Sequence, residues 1–233
     1  IAMSSSPERN AFKYISNDVL RKEILKMVLP SKQGHIASAL SQVEICCTLF
    51  YGGILKYKKN NPKFSKRDYF IISKGHSAMG AYPIYADLGY FNKKDLKSYQ
   101  KPKGNLRVYG DKSIPGVECT SGSLSQAVGI AAGLAYSKKI NNNKNNVYVI
   151  ISDGEHYEGS IWETAIFSSH YKLDNLIVIV DRNQQIILGK TEKLMKLEPL
   201  NKKWESFGWD VQTVNGHSIK SLLKAFNKSK KKN

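Results

Sequence analysis

The sequence of 233 residues has little of what marks a disulfide framework or a cysteine metal site. Its three cysteines are Cys46, Cys47 and Cys119, an odd number whose spacing matches no metal-binding pattern. Folds stapled by disulfides need paired cysteines and are typical of secreted proteins. We therefore expect buried or half-buried thiols without a chemical role.

Long hydrophobic runs are also missing. No apolar stretch approaches the roughly 20 residues that a membrane-spanning helix requires. The sequence does not open with a charged and then apolar secretory leader either. On these grounds we expect a cytoplasmic protein with no membrane partner.

Acidic residues are few, since 19 Asp and Glu stand against 36 Lys and Arg, for a formal net charge of +17. One interpretation is a basic nucleic-acid-binding protein. However, the lysines are scattered over residues 56–66, 93–103 and 193–203, and no basic helix has the pattern of a DNA or RNA reader. A phosphorylated or nucleotide-linked substrate, or an acidic partner protein, suits the charge equally well, and we expect no nucleic-acid partner.

Two apolar runs rich in β-branched residues, 147–151 and 176–180, are typical of strands buried on both faces of a parallel sheet. Residues 160–171 between them carry apolar side chains at helical spacing. This order predicts a right-handed βαβ unit. Further along, residues 209–214 are expected to form another strand and residues 219–226 a helix, with a structural role for His217 at the turn between them.

Asp153 and Asn183 each follow one of the two predicted strands directly. Because parallel strands end on the same edge of a sheet, both side chains are expected at the edge where α/β sheets bind ligands. Their oxygens suit Mg²⁺ or Ca²⁺ carrying a phosphate, and Gly154 allows close backbone approach. The alternative is that Asp153 only caps the next helix and Asn183 only turns the chain.

Two histidines occupy comparable positions. His76 follows a predicted strand over residues 67–73 and precedes a predicted helix over 78–88, which places it on the same ligand-binding edge. His35 lies in a loop of small residues, 34–41, and Ser41 to Glu44 has capping-box spacing for a helix over 42–50. A helix over 16–29 before this loop should end at Pro30.

Several short motifs resemble those of transketolases. The segments around His35 and His76 are similar to the family's Gly-His-x-x-x-Ser-Leu-Ser and Arg-Asp-x-Phe-Ile-x-Ser-x-Gly-His. The thiamine diphosphate motif is matched, in the version of the N-terminal half of a split, two-subunit transketolase, by Asp153-Gly154-Glu155, Glu158-Gly159, Trp162-Glu163, Asp181-Arg182-Asn183 and Gly189. Ser152 stands where the family has the first glycine of a Gly-Asp-Gly triplet.

The resemblance implies an α/β fold of the thiamine diphosphate-binding type, with a mostly parallel central sheet and helices on both faces. Residues 1–233 would form a single diphosphate-binding domain, and the pyrimidine-binding domain would lie on a separate chain. That second chain, a C-terminal transketolase subunit, would supply the glutamate that completes the site. We expect a heterotetramer with two copies of each subunit, and no activity from this chain by itself.

The resemblance also implies roles for single residues. Asp153, the Asn183 side chain and the backbone carbonyl of Gln185 would hold Mg²⁺, with Ca²⁺ as a possible substitute. His35 and His76 would orient the sugar and move its protons, and Glu158 and Glu163 would join a proton relay near the subunit interface. The residues implied to contact thiamine diphosphate are His76, Gly122, Leu124, Asp153, Gly154, Glu155, Asn183 and Ile187.

The implied activity is transfer of a two-carbon ketol unit from a ketose donor to an aldehyde or sugar acceptor. Two departures bear on it. Residues 107–110, before Pro115-Gly116-Val117-Glu118, lack the family's substrate-binding Gly-His-Pro histidine, which puts the usual pentose phosphates in doubt. Ser125 and Ala127 replace two glycines in the loop after Thr120, so we expect a changed loop shape. The alternative activity is decarboxylation of a 2-oxo acid such as pyruvate, with acyl transfer to a carrier or a nucleotide-linked sugar.

Overall fold

The structure is a computed structural model that describes residues 16 to 231 of the chain. Its central sheet has three parallel strands in the order β1 (Tyr69–Ile72), β2 (Val147–Ser152) and β3 (Leu176–Asp181). Tyr69 and Leu176 both pair with Val147, and Asp181 pairs with Ser152. A separate antiparallel hairpin is formed by β4 (Gln185–Ile186) and β5 (Gly189–Lys190). The predicted parallel sheet and βαβ unit are confirmed.

Helices cover both faces of this sheet. In chain order they are α1 (Asn17–Val28), α2 (Ile36–Ser41), α3 (Val43–Tyr51), α4 (Tyr82–Asp87), α5 (Gln126–Ile140), α6 (Gly159–His170), α7 (Thr191–Leu194), α8 (Leu200–Ser206) and α9 (Ile219–Lys231). Short 3₁₀ segments lie at Leu29–Ser31, Gly75–Gly80, Lys93–Ser98 and Gly154–Tyr157.

The two faces of the strands build two separate cores, because successive side chains of a strand point to opposite sides. Val149 and Ile151 pack with α5, α6 and α8 in one core. Tyr148 and Ile150 pack with α1, α3, α4 and α9 in the other. All four side chains are at most 1% exposed, so β2 is the buried centre of the molecule.

Helix α1 forms as the sequence predicts. Leu20, Ile24, Met27 and Val28 make its buried face, and the Ser16 hydroxyl caps it by accepting from the Val19 N–H at 3.3 Å. The chain then passes into a 3₁₀ turn containing Pro30.

The prediction for residues 34–44 is partly wrong. Residues 36–41 form helix α2 instead of a loop, and no side chain caps α3. The capping box fails because tertiary partners take both of its members. Ser41 donates to Asp181 Oδ1 at 2.7 Å, and Glu44 accepts from Arg21 at 2.6 Å.

The helix expected over residues 78–88 is also divided. A 3₁₀ segment covers Gly75–Gly80, and α4 begins only at Tyr82, with Pro83 in its first turn. Proline is well suited to that place, since the N–H it lacks has no partner inside a helix anyway.

The strand expected over residues 209–214 does not form. The Trp209 indole donates to the Ala165 carbonyl at 3.1 Å, and Gly208 turns the chain with a φ of 86°. The segment therefore runs beside the open edge of β3 without pairing, and a groove of about 800 Å³ lies between the two. The helix that follows is confirmed and longer than predicted. His217 contacts Glu44 Oε2 at 3.3 Å.

Within residues 16–231, every helix falls short of the length and apolar content that crossing a bilayer demands.

Asp68 joins the starts of two strands, and its replacement tests the importance of this junction. Its carboxylate is 5% exposed and accepts from the Lys56 and Asn146 N–H groups at 2.9 and 2.8 Å. Asp68→Ala leaves both buried donors unpaired, so we expect a loss of about 3 kcal/mol in the free energy of unfolding, measured by urea denaturation. The control Asp174→Ala removes an exposed pair with Lys139 and should cost less than about 1 kcal/mol. Equal losses in the two variants would contradict this assignment.

Candidate active site

The carboxyl ends of β2 and β3 bring two candidate ligands to one edge of the sheet. Asp153 follows Ser152, and Ser152 pairs with Asp181, which lies two residues before Asn183. Asp153 is 1% exposed, whereas Asn183 is exposed. The structure thus places both residues at the edge where the sequence predicts them.

The buried carboxylate of Glu155 holds this edge together. Oε1 accepts from the Ser73 hydroxyl after β1 and from the Ser125 N–H at 2.8 Å. Oε2 accepts from the Ser152 N–H at 2.7 Å and the Ser152 hydroxyl at 3.1 Å. All four donors come from this chain, so the carboxylate fixes three loops. Direct contact of Glu155 with a cofactor stays a prediction that this geometry does not favour.

Two glycines allow the loops to approach this closely. A Cβ on Gly154 would lie 2.8 Å from Ile186 of the hairpin, and one on Gly75 would lie 2.7 Å from the Ser121 carbonyl oxygen. Any side chain at either place would push the loops apart. The close backbone approach predicted for Gly154 is therefore present, and its neighbour is the β4–β5 hairpin.

Ser125 overturns the expectation that losing a glycine changes the loop after Thr120. It adopts a φ of 67°, the left-handed conformation that glycine takes without strain. The bond from its N–H to Glu155 and a short contact between its hydroxyl and that of Ser160 hold it there. Gly122 lies exposed in this loop, and Leu124 is half-buried.

Asp153 has a cationic neighbour that sequence reasoning did not single out. Arg182 donates to Asp153 Oδ2 at 2.9 Å, and it also pairs with Glu192 at 2.6 Å and Glu198 at 3.1 Å. Burial raises the pKa of the Asp153 carboxyl, while Arg182 and the N–H groups of Gln184 and Gly154 work in the opposite direction. Arg182 thereby ties Asp153 to the segment that follows the hairpin.

Asn183 opens the tight turn that leads into the hairpin. Its Oδ1 accepts from the Gln185 N–H at 2.9 Å, which is the short-range bond by which asparagine stabilises turns. At the tip of the hairpin, Ile187 and Leu188 are 92% and 80% exposed. Two large apolar side chains so exposed indicate a surface that meets another molecule.

The donor set fits Mg²⁺ that shares its coordination with phosphate. The described residues hold no group of three or more His, Cys, Asp or Glu side chains able to form a cage. Mg²⁺ in proteins is commonly bound through one or two carboxylates together with substrate phosphates. One buried carboxylate, from Asp153, and the nearby oxygens of the Asn183–Gln185 turn agree with that pattern.

His35 and His76 form a pair at the end of β1. Their ring centroids are 5.0 Å apart, and His76 Nε2 lies 3.0 Å from the Ser38 hydroxyl. Burial, His35 and Lys74 lower the pKa of His76 to about 4. His76 is therefore a neutral imidazole at pH 7, able to donate a proton from one nitrogen and accept one at the other.

His156 supports the Asp153 loop from below, a role that the sequence motifs did not reveal. Its Nδ1 donates to the Ser152 and Asp153 carbonyl oxygens, both at 3.1 Å, and its Nε2 accepts from the Trp204 indole at 3.0 Å. Burial lowers the pKa of His156 to about 4. The Trp162 indole donates to the His156 carbonyl at 3.1 Å. Partners so far apart in sequence leave no local signal.

Glu158 and Glu163 lie at the start and on the outer face of α6. Both are exposed, and neither side chain has a recorded hydrogen bond or ion pair among residues 16–230. They are separate from the buried residues around Asp153. The structure shows them free to meet a neighbouring chain, while their place in a proton relay stays a prediction.

Tyr109 marks the segment without the expected histidine. It is 47% exposed and lies beside Gly122, where a Cβ would be 3.8 Å from the tyrosine ring. The segment thus borders the candidate site.

Comparison with known proteins gives the same assignment. Residues 15–233 match the family described as transketolase, thiamine diphosphate binding domain. One of the two subunits of an apulose-4-phosphate transketolase from Phocaeicola vulgatus is 34% identical over 206 residues, which are 88% of this chain and 73% of that relative. A 6-deoxy-6-sulfo-D-fructose transketolase subunit from Clostridium sp. (strain MSTE9) is 35% identical over 215 residues, 92% of this chain and 78% of the relative.

Single-chain transketolases match over a smaller part of their length. Human transketolase is 34% identical over 215 residues, which are 91% of this chain but 34% of the human protein. The structure of transketolase from Leishmania mexicana superposes with a TM-score of 0.81 at 26% identity, covering 93% of this chain and 35% of that one. The chain therefore belongs to the transketolase N-terminal family, the thiamine diphosphate-binding domain, and is similar to the corresponding subunits of split transketolases, as its motifs predict.

Proposed function

We propose that this chain is the diphosphate-binding subunit of a split transketolase that transfers a two-carbon ketol unit from a ketose to an aldehyde or sugar acceptor. The observation that carries the proposal is the shared edge of the sheet. There, Glu155 holds the loops of Asp153, Ser73 and Ser125 together, and the His35–His76 pair lies at the end of the adjoining strand.

The residues after β2 and β3 would hold the metal and the diphosphate. Asp153, the Asn183 side chain and the Gln185 carbonyl would bind Mg²⁺, and Ca²⁺ offers compatible chemistry. Gly122, Leu124, Gly154 and Ile187 would line the cofactor. Thiamine diphosphate, when bound, supplies a nucleophilic carbon and an electron sink for breaking the bond beside a carbonyl.

The two histidines would act on the sugar. His35 is exposed and His76 is half-buried, so both face the opening of the site. A neutral imidazole near a hydroxyl can accept its proton and return it later. We assign this general acid and base role to the pair.

A partner subunit is needed for a complete site. This chain matches a diphosphate-binding domain only, so the pyrimidine-binding domain would come from a C-terminal subunit. Glu158, Glu163, Ile187 and Leu188 form an exposed rim without partners of its own that would suit such a neighbour. We propose a heterotetramer of two subunits of each kind.

The sugar donor is proposed to differ from the usual pentose phosphates. Tyr109 borders Gly122 where the family histidine is expected, which removes one donor of hydrogen bonds to such a sugar. Relatives named for apulose 4-phosphate and 6-deoxy-6-sulfo-D-fructose indicate that subunits of this kind serve specialised ketoses. The same departure keeps pyruvate decarboxylation as a second candidate.

Calorimetry with Asp153→Ala tests the metal assignment. In the presence of the C-terminal subunit, wild type should bind thiamine diphosphate with Mg²⁺. The variant should lose at least about tenfold in affinity, because a metal-bound carboxylate contributes more than an ordinary hydrogen bond. Asp174→Ala, which alters an exposed carboxylate, should bind like wild type. Unchanged affinity in Asp153→Ala would refute the role of Asp153 as a metal ligand.

Turnover assays distinguish the two candidate reactions. The two-subunit complex with thiamine diphosphate and Mg²⁺ should form product from ketose donors, tested with xylulose 5-phosphate and apulose 4-phosphate, and none from pyruvate. Each of the two chains should be inactive by itself, because each carries half of the cofactor site. Product from pyruvate with none from any ketose would favour the second candidate, and activity of this chain without its partner would contradict the split arrangement.

A further inference from the structure

We infer that Lys74 is a positioning residue that acts through Ser38 to hold the His76 imidazole with its proton on Nδ1. Lys74 lies between the strand β1 and His76 itself, and it touches neither ring nitrogen. Its consequence for cofactor or sugar binding rests on the proposed function. The assignment of the proton does not.

Lys74 is a buried cation with every hydrogen accounted for. Its side chain is 1% exposed. The three N–H groups of the ammonium are directed at the Ser38 carbonyl oxygen at 3.1 Å, the Ser38 hydroxyl at 3.4 Å and the Asp181 carboxylate. Since an ammonium group only donates, the Ser38 hydroxyl accepts from Lys74.

This contact determines the direction of the next hydrogen bond. The Ser38 oxygen receives a proton from Lys74 and still has its own hydroxyl hydrogen to place, and His76 Nε2 is 3.0 Å away. A hydroxyl that accepts from a cation is polarised and becomes a better donor. Ser38 therefore donates to Nε2. Nε2 is then the unprotonated nitrogen, and in a neutral imidazole the proton is on Nδ1.

The remaining nitrogen is turned towards the site. No hydrogen bond to His76 Nδ1 is recorded among residues 16–230, and this atom is not among the buried polar atoms that lack a partner. The Nδ1–H is thus available as a donor to an anionic or carbonyl oxygen entering from the edge of the sheet. The chain from Lys74 through Ser38 to His76 sets this polarity before any ligand arrives.

Stability alone does not account for the ion pair. Burying two charges costs desolvation energy that their attraction often fails to recover, so apolar residues of the same volume frequently stabilise a core better. Asp181 also accepts from Ser41 at 2.7 Å, which anchors the end of α2. Lys74 and Asp181 together hold both ends of the helical turn that carries Ser38.

Nitrogen-15 NMR of histidine-labelled full-length chain, in isolation and with the partner subunit, tests the inference. At neutral pH His76, assigned by its loss in His76→Gln, should show an unprotonated Nε2 and a protonated Nδ1. Ser38→Ala should abolish this preference. The double variant Lys74→Met with Asp181→Asn, which removes the cation without leaving a buried charge unpaired, should shift the proton towards Nε2. A protonated Nε2 in wild type, or an unchanged spectrum in both variants, would overturn the inference.

Lys138→Met is the matched control, because Lys138 is also buried, at 9% exposure, but lies over the Tyr69 ring away from His76. It should leave the His76 spectrum unchanged, whereas a shift equal to that of the double variant would assign the effect to general loosening and overturn the inference. Binding of thiamine diphosphate with Mg²⁺ should weaken about fivefold in Ser38→Ala. Absence of binding in wild type would refute the proposed function and leave the NMR result standing.

Discussion

The hydrogen bonds accepted by the Glu155 carboxylate are the constraint on which the arrangement at the sheet edge depends. One buried anion receives donors from Ser73, Ser125 and Ser152, which follow β1, precede α5 and end β2. An anion excluded from water must keep such donors, since leaving it unpaired costs several kcal/mol. The bonds therefore hold three loops at fixed separation, and the left-handed Ser125 is held in place by the same contact.

Two further buried charges are organised around this centre. Arg182 links Asp153 to Glu192 and Glu198, and Lys74 links Asp181 to Ser38. Both cations follow the strands of the sheet closely in sequence, so the strand register fixes where they emerge. The site is consequently preorganised, with carboxylates and imidazoles already oriented, and binding a ligand requires little rearrangement of the kind that lowers affinity.

Prediction from the sequence succeeded where the signal was local or periodic. The two buried strands, the α6 helix between them and the apolar face of α1 all follow from runs of a few residues. It failed where a distant partner decided the outcome. Ser41 has the spacing of a cap but bonds Asp181, Trp209 is held by Ala165 instead of joining a strand, and His156 acts through Trp204.

The sequence by itself determined the class of fold, the edge on which Asp153, Asn183 and His76 lie, and the family, because parallel strands must end on one edge and the motifs are contiguous. Only the tertiary structure decided which side chains are committed to the protein and which remain free. Glu155 is fully occupied, whereas Glu158, Glu163 and Ile187 are exposed. The physical reason is that hydrogen-bond saturation and burial depend on residues brought together from distant parts of the chain, and no spacing along the sequence records them.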